Sequence, residues 1–192
     1  MASSDKRHEI LRAALELIAE QGFHGAPIAA IAGRAGVGAG TIYRYFDNKD
    51  VLIRALFLEL HDKVCTELQK GYEPGSPLAE RFLHLSSALL RYFITNPRHF
   101  RFLEQYMNSP YGADLRRARL LGGGDENDLY RGLLEEGVAC GAVKDLPLIV
   151  LFALAFGPLL AVARDHILGF VRLDGALIVQ TVQACWDGIK KE

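Results

Sequence analysis

The sequence predicts an all-α fold, and three observations support this class. Apolar residues recur at helical spacing along most of the chain, whereas the alternation typical of strands is nearly absent. Glycine and proline lie between the periodic stretches, where helices begin and end. Half of the 192 residues are hydrophobic, which is enough for one substantial core. We therefore expect about nine helices, arranged as a three-helix head, a connecting helix and a larger helical body.

The first three helices form the head. An apolar stripe from Ile10 to Ile18 predicts the first helix, which Gly22 ends. Pro27 begins a short second helix, where its missing N–H costs nothing. Gly36 breaks that helix, and a third one continues to about Phe46. Residues 1–50 are thus predicted to be one small domain.

The connecting helix and the body follow. Asp47 or Asn48 caps a long fourth helix over about 49–70, and the linker Gly71–Pro77 is the clearest break in the chain. Residues 51–192 form the second predicted domain. Its further helices are expected at about 78–95, 97–107, from Ala113, and at about 125–140, 146–166 and 174–190, with the glycine-rich Leu121–Asn127 as a loop.

Charge and cysteine content exclude several classes of protein. The net charge is −1 and no charged tail is present, so a nucleic-acid partner would need a local basic surface. The three cysteines are widely separated, and none lies at metal-ligand spacing from a histidine. We expect no disulfide scaffold, no metal site and no cofactor.

Residues 27–46 have the pattern of a helix-turn-helix. Ala32 is a small residue where the two helices would cross, and Gly36 can adopt the left-handed backbone of the turn. Apolar residues at the spacing needed to hold both helices are Ile31, Ala35, Val37, Ile42 and Phe46. The pattern predicts a DNA-reading unit with residues 39–45 as its recognition helix.

The side chains on this helix suit a phosphate backbone. Small residues at its start allow close approach to a surface, hydroxyl groups can donate to phosphates, and Arg44 can reach a phosphate or a guanine edge. Lys49 adds a cation at the next helix. The predicted DNA contacts are Ala39, Gly40, Thr41, Tyr43, Arg44, Tyr45 and Lys49. Ala29, Ala30, Gly38 and Ala39 offer no side-chain donors, so DNA shape should contribute more than base-edge contacts.

Over about residues 6–55 the sequence closely resembles the DNA-binding head of the TetR family of bacterial transcriptional regulators. The specific match is Gly40, Thr41, Tyr43, Tyr45, Phe46 and Lys49. This resemblance implies a cytoplasmic homodimer that binds a palindromic operator as a repressor and is released by a small ligand in the body. Beyond residue 60 it rests only on length and helical layout.

The body carries a candidate ligand site. His99, Phe102 and Tyr106 share one helical face, and Phe152 and Phe156 form a second pair four residues apart. Core packing explains each residue separately, whereas a pocket between the two helices explains them together. An apolar or aromatic ligand is favoured because few polar groups are nearby.

Helices 146–166 and 174–190 are the expected dimer seam, because a monomer would expose a large apolar patch. The residues predicted to form it are Leu151, Ala155, Leu159, Val162, Ile178, Val182 and Trp186.

An enzyme and a membrane or scaffold protein are the two alternatives to a DNA-binding regulator. An enzyme is disfavoured because no nucleophile, Walker-type loop or dinucleotide fingerprint has its proper context. A membrane or scaffold protein could be built on the uncharged segment Leu146–Ala163, which is borderline in length for a span and contains Pro158. The sequence leaves open the operator, the effector, and whether binding represses or activates.

Overall fold

A computed structural model describes residues 2–120 and 128–191 of the chain. The described residues form ten helices, which confirms the all-α prediction. They are α1 (Ala2–Gly25), α2 (Ile28–Arg34), α3 (Ala39–Tyr45), α4 (Lys49–Gln69), α5 (Leu78–Thr95), α6 (Pro97–Met107), α7 (Pro110–Leu120), α8 (Leu129–Ala139), α9 (Leu148–Ile167) and α10 (Gly175–Ile189). The predicted loop Leu121–Asn127 lies outside the described residues.

Local capping explains where several helices begin. Asn48 Oδ1 accepts a hydrogen bond from Val51 N at 3.0 Å at the start of α4. Asp174 Oδ1 accepts from Leu177 N at 2.9 Å and caps α10 in the same way. These side chains satisfy backbone donors that a helix start leaves unpaired. Gly22 interrupts α1 with the non-helical angles φ 76° and ψ 175°, where the sequence predicts the end of the first helix, and a further helical turn follows to Gly25.

The chain packs as two compact units, whose boundaries cut α4 and α7. Unit 1 contains the chain up to Lys63 together with Asn96–Leu115, and unit 2 contains Val64–Thr95 and the described residues from Arg116 onward. By packing, therefore, α6 belongs with the helix-turn-helix. The predicted domain boundary between residues 50 and 51 stays a prediction.

Unit 1 has a core that joins α1, α2, α3, α4 and α6. Ile10 and Ile18 from α1, Ile42 from α3 and Leu60 from α4 are all fully buried in it. Gln105 of α6 donates from Nε2 to the carbonyl of Ile18 at 3.0 Å. The helix-turn-helix is therefore held by apolar contacts on its inner side, which leaves its outer side free.

Unit 2 is built from α5, α8, α9 and α10. The buried residues of α9 recur every four positions, as Leu151, Ala155, Leu159 and Ala163, so a single stripe of this helix packs inward. From α10, Trp186 packs its ring 5.4 Å from that of Phe82 on α5.

This packing corrects the residues assigned to the dimer seam. Six of the seven predicted residues are buried within unit 2: Leu151, Ala155, Leu159, Ile178, Val182 and Trp186. Val162 is half-buried. The helical period places apolar residues on both sides of these helices, and sequence spacing alone could not tell which stripe faces inward. The exposed apolar residues of the two helices are Ile149, Val150, Leu154, Leu160 and Val179.

α9 is long and apolar enough to cross a membrane, judged by length and composition alone. Only 22% of its most apolar stretch of 18 residues is buried inside the protein. Beside its buried stripe, α9 therefore has an apolar face that unit 2 does not cover. Pro158 lies inside the helix and is itself exposed.

Candidate nucleic-acid interface

The turn between α2 and α3 has the backbone that the sequence pattern predicts. Gly36 has φ +66°, and a Cβ added there would meet no atom within 4 Å. The chain is held on both sides of this glycine, since Ala35 N donates to Ile31 O at 2.9 Å and Val37 N donates to Ala32 O at 3.0 Å. The left-handed conformation, rather than a lack of space, is therefore what requires glycine here.

Residues along α3 alternate between the core and solvent. Ile42 is fully buried and Phe46, just beyond the helix, is 2% exposed, so both anchor α3 to unit 1. Tyr43, by contrast, is 53% exposed. Ala39, Gly40 and Arg44 are also exposed, whereas Thr41 and Tyr45 are half-buried. The structure thus presents most of the predicted contact residues on one short helix whose inner face is fixed.

Arg44 and Tyr45 form a pair at the end of α3. The guanidinium carbon of Arg44 lies 5.3 Å from the ring centroid of Tyr45, and its Nη2 donates to the Tyr45 hydroxyl at 3.3 Å. An exposed cation stacked on an aromatic ring gains little energy but has a restricted direction. The Arg44 guanidinium therefore lies close to the surface of α3.

Lys49 is connected to the core more closely than the sequence suggested. Its Nζ donates a short hydrogen bond to the carbonyl oxygen of Phe23 near the end of α1. Burial lowers the pKa of Lys49, and neighbouring Asp50 partly opposes this shift. One of the three N–H donors of the Lys49 ammonium group therefore links α4 to α1. The other two can donate to a phosphate of DNA.

The positive charges available near the helix-turn-helix are not the ones that the local sequence contains, because one cation there is paired and another comes from α1. Arg34 of α2 is paired with Glu20 of α1 at 2.9 Å, so its charge is partly compensated. The sequence interpretation missed Arg7, whose guanidinium carbon lies 5.4 Å from the ring centroid of Phe46. Arg7 is remote from the motif in sequence, and only the packing of α1 beside α3 brings a further cation to this end of the unit.

The five predicted ligand residues fall in different units. Phe102 and Tyr106 are buried in unit 1, where the Tyr106 ring stacks on Phe57 at 4.1 Å. His99 is half-buried in the same unit. Phe152 and Phe156 belong to unit 2, with ring centroids 5.5 Å apart.

Unit 2 contains a polar feature that the sequence did not reveal. Tyr130 of α8 packs edge-on against Phe156, with centroids 4.3 Å apart. The Tyr130 hydroxyl and the Ser86 Oγ are both buried without a hydrogen-bond partner of normal geometry. Burial raises the pKa of Tyr130, and Ser86 partly opposes this effect. A lone tyrosine and a lone serine in apolar helices give no signal in the sequence, since the fold alone brings them together.

No site for a metal ion is present among residues 2–120 and 128–191, where no three side chains of His, Cys, Asp or Glu cluster suitably.

Known proteins resemble this chain along its whole length. Residues 10–56 match the family model for bacterial regulatory proteins of the tetR family, and residues 77–190 match a tetracyclin repressor-like C-terminal domain. A TetR family transcription regulator from Marinobacter aquaeolei VT8 superimposes with a TM-score of 0.85 at 23% identity, and the alignment covers 100% of both chains.

Two further relatives carry more specific descriptions. The fatty acid metabolism regulator protein of Bacillus subtilis is 28% identical over 144 residues, which are 73% of this chain and 72% of the relative. The transcriptional regulator FadR from Bacillus subtilis, solved in complex with stearoyl-CoA, superimposes with a TM-score of 0.74 at 22% identity over 95% of this chain and 98% of that one.

Two matched family models together cover most of the chain, and the described fold has a helix-turn-helix with an exposed recognition helix. The chain therefore belongs to the TetR family of DNA-binding transcriptional regulators and is not an enzyme.

Proposed function

We propose that this regulator is a cytoplasmic repressor that binds a palindromic operator as a homodimer and is released by a small apolar or aromatic effector. The observation that carries the DNA-binding part is the arrangement of α3, where buried Ile42 and Phe46 fix a helix whose outer face presents Tyr43 and Arg44. A rigid helix with exposed hydroxyl and guanidinium groups suits contact with phosphates and a groove edge.

Dimerisation is supported by the uncovered apolar face of α9 and α10. Leu154 and Val179 are 42% and 48% exposed, although both lie on helices whose other side is packed in a core. Exposed apolar residues on two neighbouring helices are typical of a subunit interface. A two-fold interface would supply two recognition helices, which fits an operator with two-fold symmetry.

An apolar effector is supported by the aromatic cluster of unit 2. The rings of Phe152 and Phe156 lie 5.5 Å apart and Tyr130 packs against Phe156, while the hydroxyl groups of Tyr130 and Ser86 are buried without a well-formed hydrogen bond. Leaving a buried polar group unpaired costs about 1–3 kcal/mol, so a ligand with one polar group would recover part of that free energy. The descriptions of the two Bacillus subtilis relatives, one a fatty acid regulator and one bound to stearoyl-CoA, agree with an apolar effector.

Repression and release require two arrangements of the dimer with different separations of the recognition helices. The long helix α4 runs from the helix-turn-helix into unit 2. An effector that prefers the arrangement unable to bind DNA would loosen operator binding, and the typical coupling corresponds to roughly 5–150-fold.

Electrophoretic mobility shift with the DNA that flanks the protein's own gene tests this proposal. We expect a saturable complex with a palindromic duplex, weaker binding to a single half-site, and affinity that falls steeply with salt. Equal affinity for the palindrome and for unrelated DNA at every salt concentration would overturn the operator proposal.

A further inference from the structure

A cavity lies entirely within unit 1, between α1, α4 and α6. Its volume is about 190 Å³. Two helices line it with the same spacing: α1 contributes residues 8, 11, 12 and 15, and α4 contributes residues 56, 59, 60 and 63. Its apolar side consists of Leu11, Leu15, Leu56 and Leu60, of which Leu15 is half-buried and the other three are at most 2% exposed. Side chains of the polar rim are His8, Arg12, Glu59, Lys63 and His99.

The rim carries more positive than negative groups. Glu59 is its one carboxylate, and it accepts a hydrogen bond from Lys63 Nζ at 2.7 Å. The His8 Nε2 lies 3.7 Å from the same carboxylate. Arg12 is exposed and, among the described residues, has no hydrogen bond or ion pair. Arg12 is therefore the cation of the rim whose charge is not already compensated.

We propose that this cavity binds a compact apolar monocarboxylate. The apolar side of the cavity favours a hydrocarbon or an aromatic ring, because water in such a space has few hydrogen-bond partners. A carboxylate at the mouth would meet Arg12, whose guanidinium can bind both oxygens in parallel. Lys63 and Glu59 compensate each other, so Arg12 is the remaining charge of the rim that attracts the acid group.

The size of the cavity limits the ligand. A volume of about 190 Å³ corresponds to roughly six water-sized groups, since a water occupies about 30 Å³ in the liquid. Acids of the size of hexanoate, octanoate or benzoate fit this estimate, with the carboxylate outside the apolar space. A long acyl chain does not.

This inference rests on the proposed function for its link to operator release and goes beyond it, because it places a ligand site in unit 1 and not at the aromatic cluster of unit 2. The cavity lies in the unit that also holds α2 and α3, and its apolar residues Leu11, Leu56 and Leu60 belong to the core that buries Ile42. A ligand here would contact α1 and α4 together and so act on the packing beneath the recognition helix.

The first test is calorimetry without DNA, using octanoate, octylamine and octanol as probes of equal chain length. We expect octanoate to bind at least tenfold more tightly than octylamine. Arg12→Gln should weaken octanoate binding at least tenfold, and Leu15→Phe should abolish binding by filling the apolar side of the cavity. Arg91→Gln, an exposed arginine of unit 2, is the matched control and should change nothing. Equal affinity for the three probes, or full affinity in Arg12→Gln, would overturn the proposal.

A second experiment distinguishes binding in this cavity from binding at the aromatic cluster of unit 2, by comparing the octanoate affinities of two variants. If Tyr130→Phe reduces octanoate affinity and Arg12→Gln does not, the ligand lies in unit 2 and the cavity assignment is wrong, while the effector function stands. Titration of the protein–operator complex with octanoate then tests release. Absence of any operator complex would contradict the proposed function without altering the calorimetric result for the cavity.

Discussion

Ile42 and Tyr43 are neighbours in the chain, but the first is fully buried and the second is 53% exposed. This contrast within one turn of α3 is what gives the recognition helix both an anchor and a reading face. Arg44 extends the reading face, although its guanidinium rests on the ring of Tyr45. To reach a base, its guanidinium must leave this ring, which is a small loss because the contact is exposed.

Arg44→Ala should remove base discrimination at one operator position. A bidentate arginine–guanine contact contributes roughly 1–3 kcal/mol of discrimination, so the variant should bind the preferred and altered operators about equally at that position. Binding measured across a library of operator variants checks this. Arg34→Ala is the control, since Arg34 is already paired with Glu20 and should leave base preference unchanged. Unaltered preference in Arg44→Ala would remove Arg44 from direct readout.

Lys49→Ala should reduce both DNA affinity and stability, because the ammonium group also donates to the Phe23 carbonyl. We expect a loss of about 1 kcal/mol in unfolding free energy and a uniform loss of affinity on all sequences with a shallower salt dependence. Chemical denaturation and binding at several salt concentrations measure the two effects. Lys70→Ala, in an exposed pair with Glu67, serves as the control for loss of a surface charge. Unchanged stability would show that the hydrogen bond to Phe23 contributes nothing.

His99 should make the protein less stable in mild acid. Burial lowers its pKa, Lys63 lowers it further, and Glu59 opposes these effects. The unfolded chain therefore binds this proton more tightly than the folded one. Unfolding free energy should fall as the pH drops below about 6.5, the ordinary histidine pKa, and level off below the lowered value. In His99→Gln this component should be missing, so denaturation curves from pH 8 to pH 5 should show a shallower decline than in the wild type. Identical declines would contradict the assignment.

At the scale of elements, the α2–α3 turn shows how one backbone conformation fixes a motif. Gly36 has open space around it, so a larger residue there would not clash with other atoms. Its backbone would be strained, because φ is +66°. Gly33, three residues earlier, lies inside α2 and also has nothing within 4 Å of an added Cβ. The two glycines therefore differ only in backbone conformation.

Gly36→Ala should destabilise the protein by about 1–2 kcal/mol, because alanine must adopt a left-handed conformation. Gly33→Ala should instead be neutral or stabilising by up to about 1 kcal/mol, because alanine favours a helix more than glycine does. Thermal or chemical denaturation of both variants makes the comparison. Equal effects of the two substitutions would show that the turn tolerates another backbone conformation.

For the whole molecule, the decisive feature is which stripes of α9 and α10 are left uncovered. Leu159 is 1% exposed, so a charge placed there would damage the core of unit 2 and could not report on dimerisation alone. Leu154 is 42% exposed on the same helix, and a charge there leaves the core intact.

Leu154→Glu should produce a folded monomer that binds the palindromic operator poorly, because a buried charge at a subunit interface is costly. Light scattering coupled to gel filtration gives the mass, and circular dichroism checks the fold. Leu58→Glu, on an exposed leucine of α4, places the same charge elsewhere and should remain dimeric. A wild-type protein that is monomeric at micromolar concentration would contradict the dimer proposal.

The all-α class, the helix boundaries to within a few residues, and the helix-turn-helix with its glycine turn could all be predicted from the amino-acid sequence. These features depend on local signals: helical periodicity, caps such as Asn48, and the need for glycine at position 36. The motif of α3 likewise depends on residues close together in the chain, so its exposed face could be predicted from spacing.

Which apolar stripe of α9 and α10 is buried depends on tertiary packing. The same holds for the packing of α6 with the DNA-binding helices and for the surroundings of Arg7, Lys49 and Tyr130. These outcomes depend on contacts between residues distant in the chain. When apolar and polar residues alternate at helical spacing, the sequence shows which side of a helix is buried. α9 is apolar on several sides, so its sequence does not show which of them faces the core. Packing against α5 and α10 determines which side of α9 is buried. The sides of α9 that remain exposed are available for contact with another subunit.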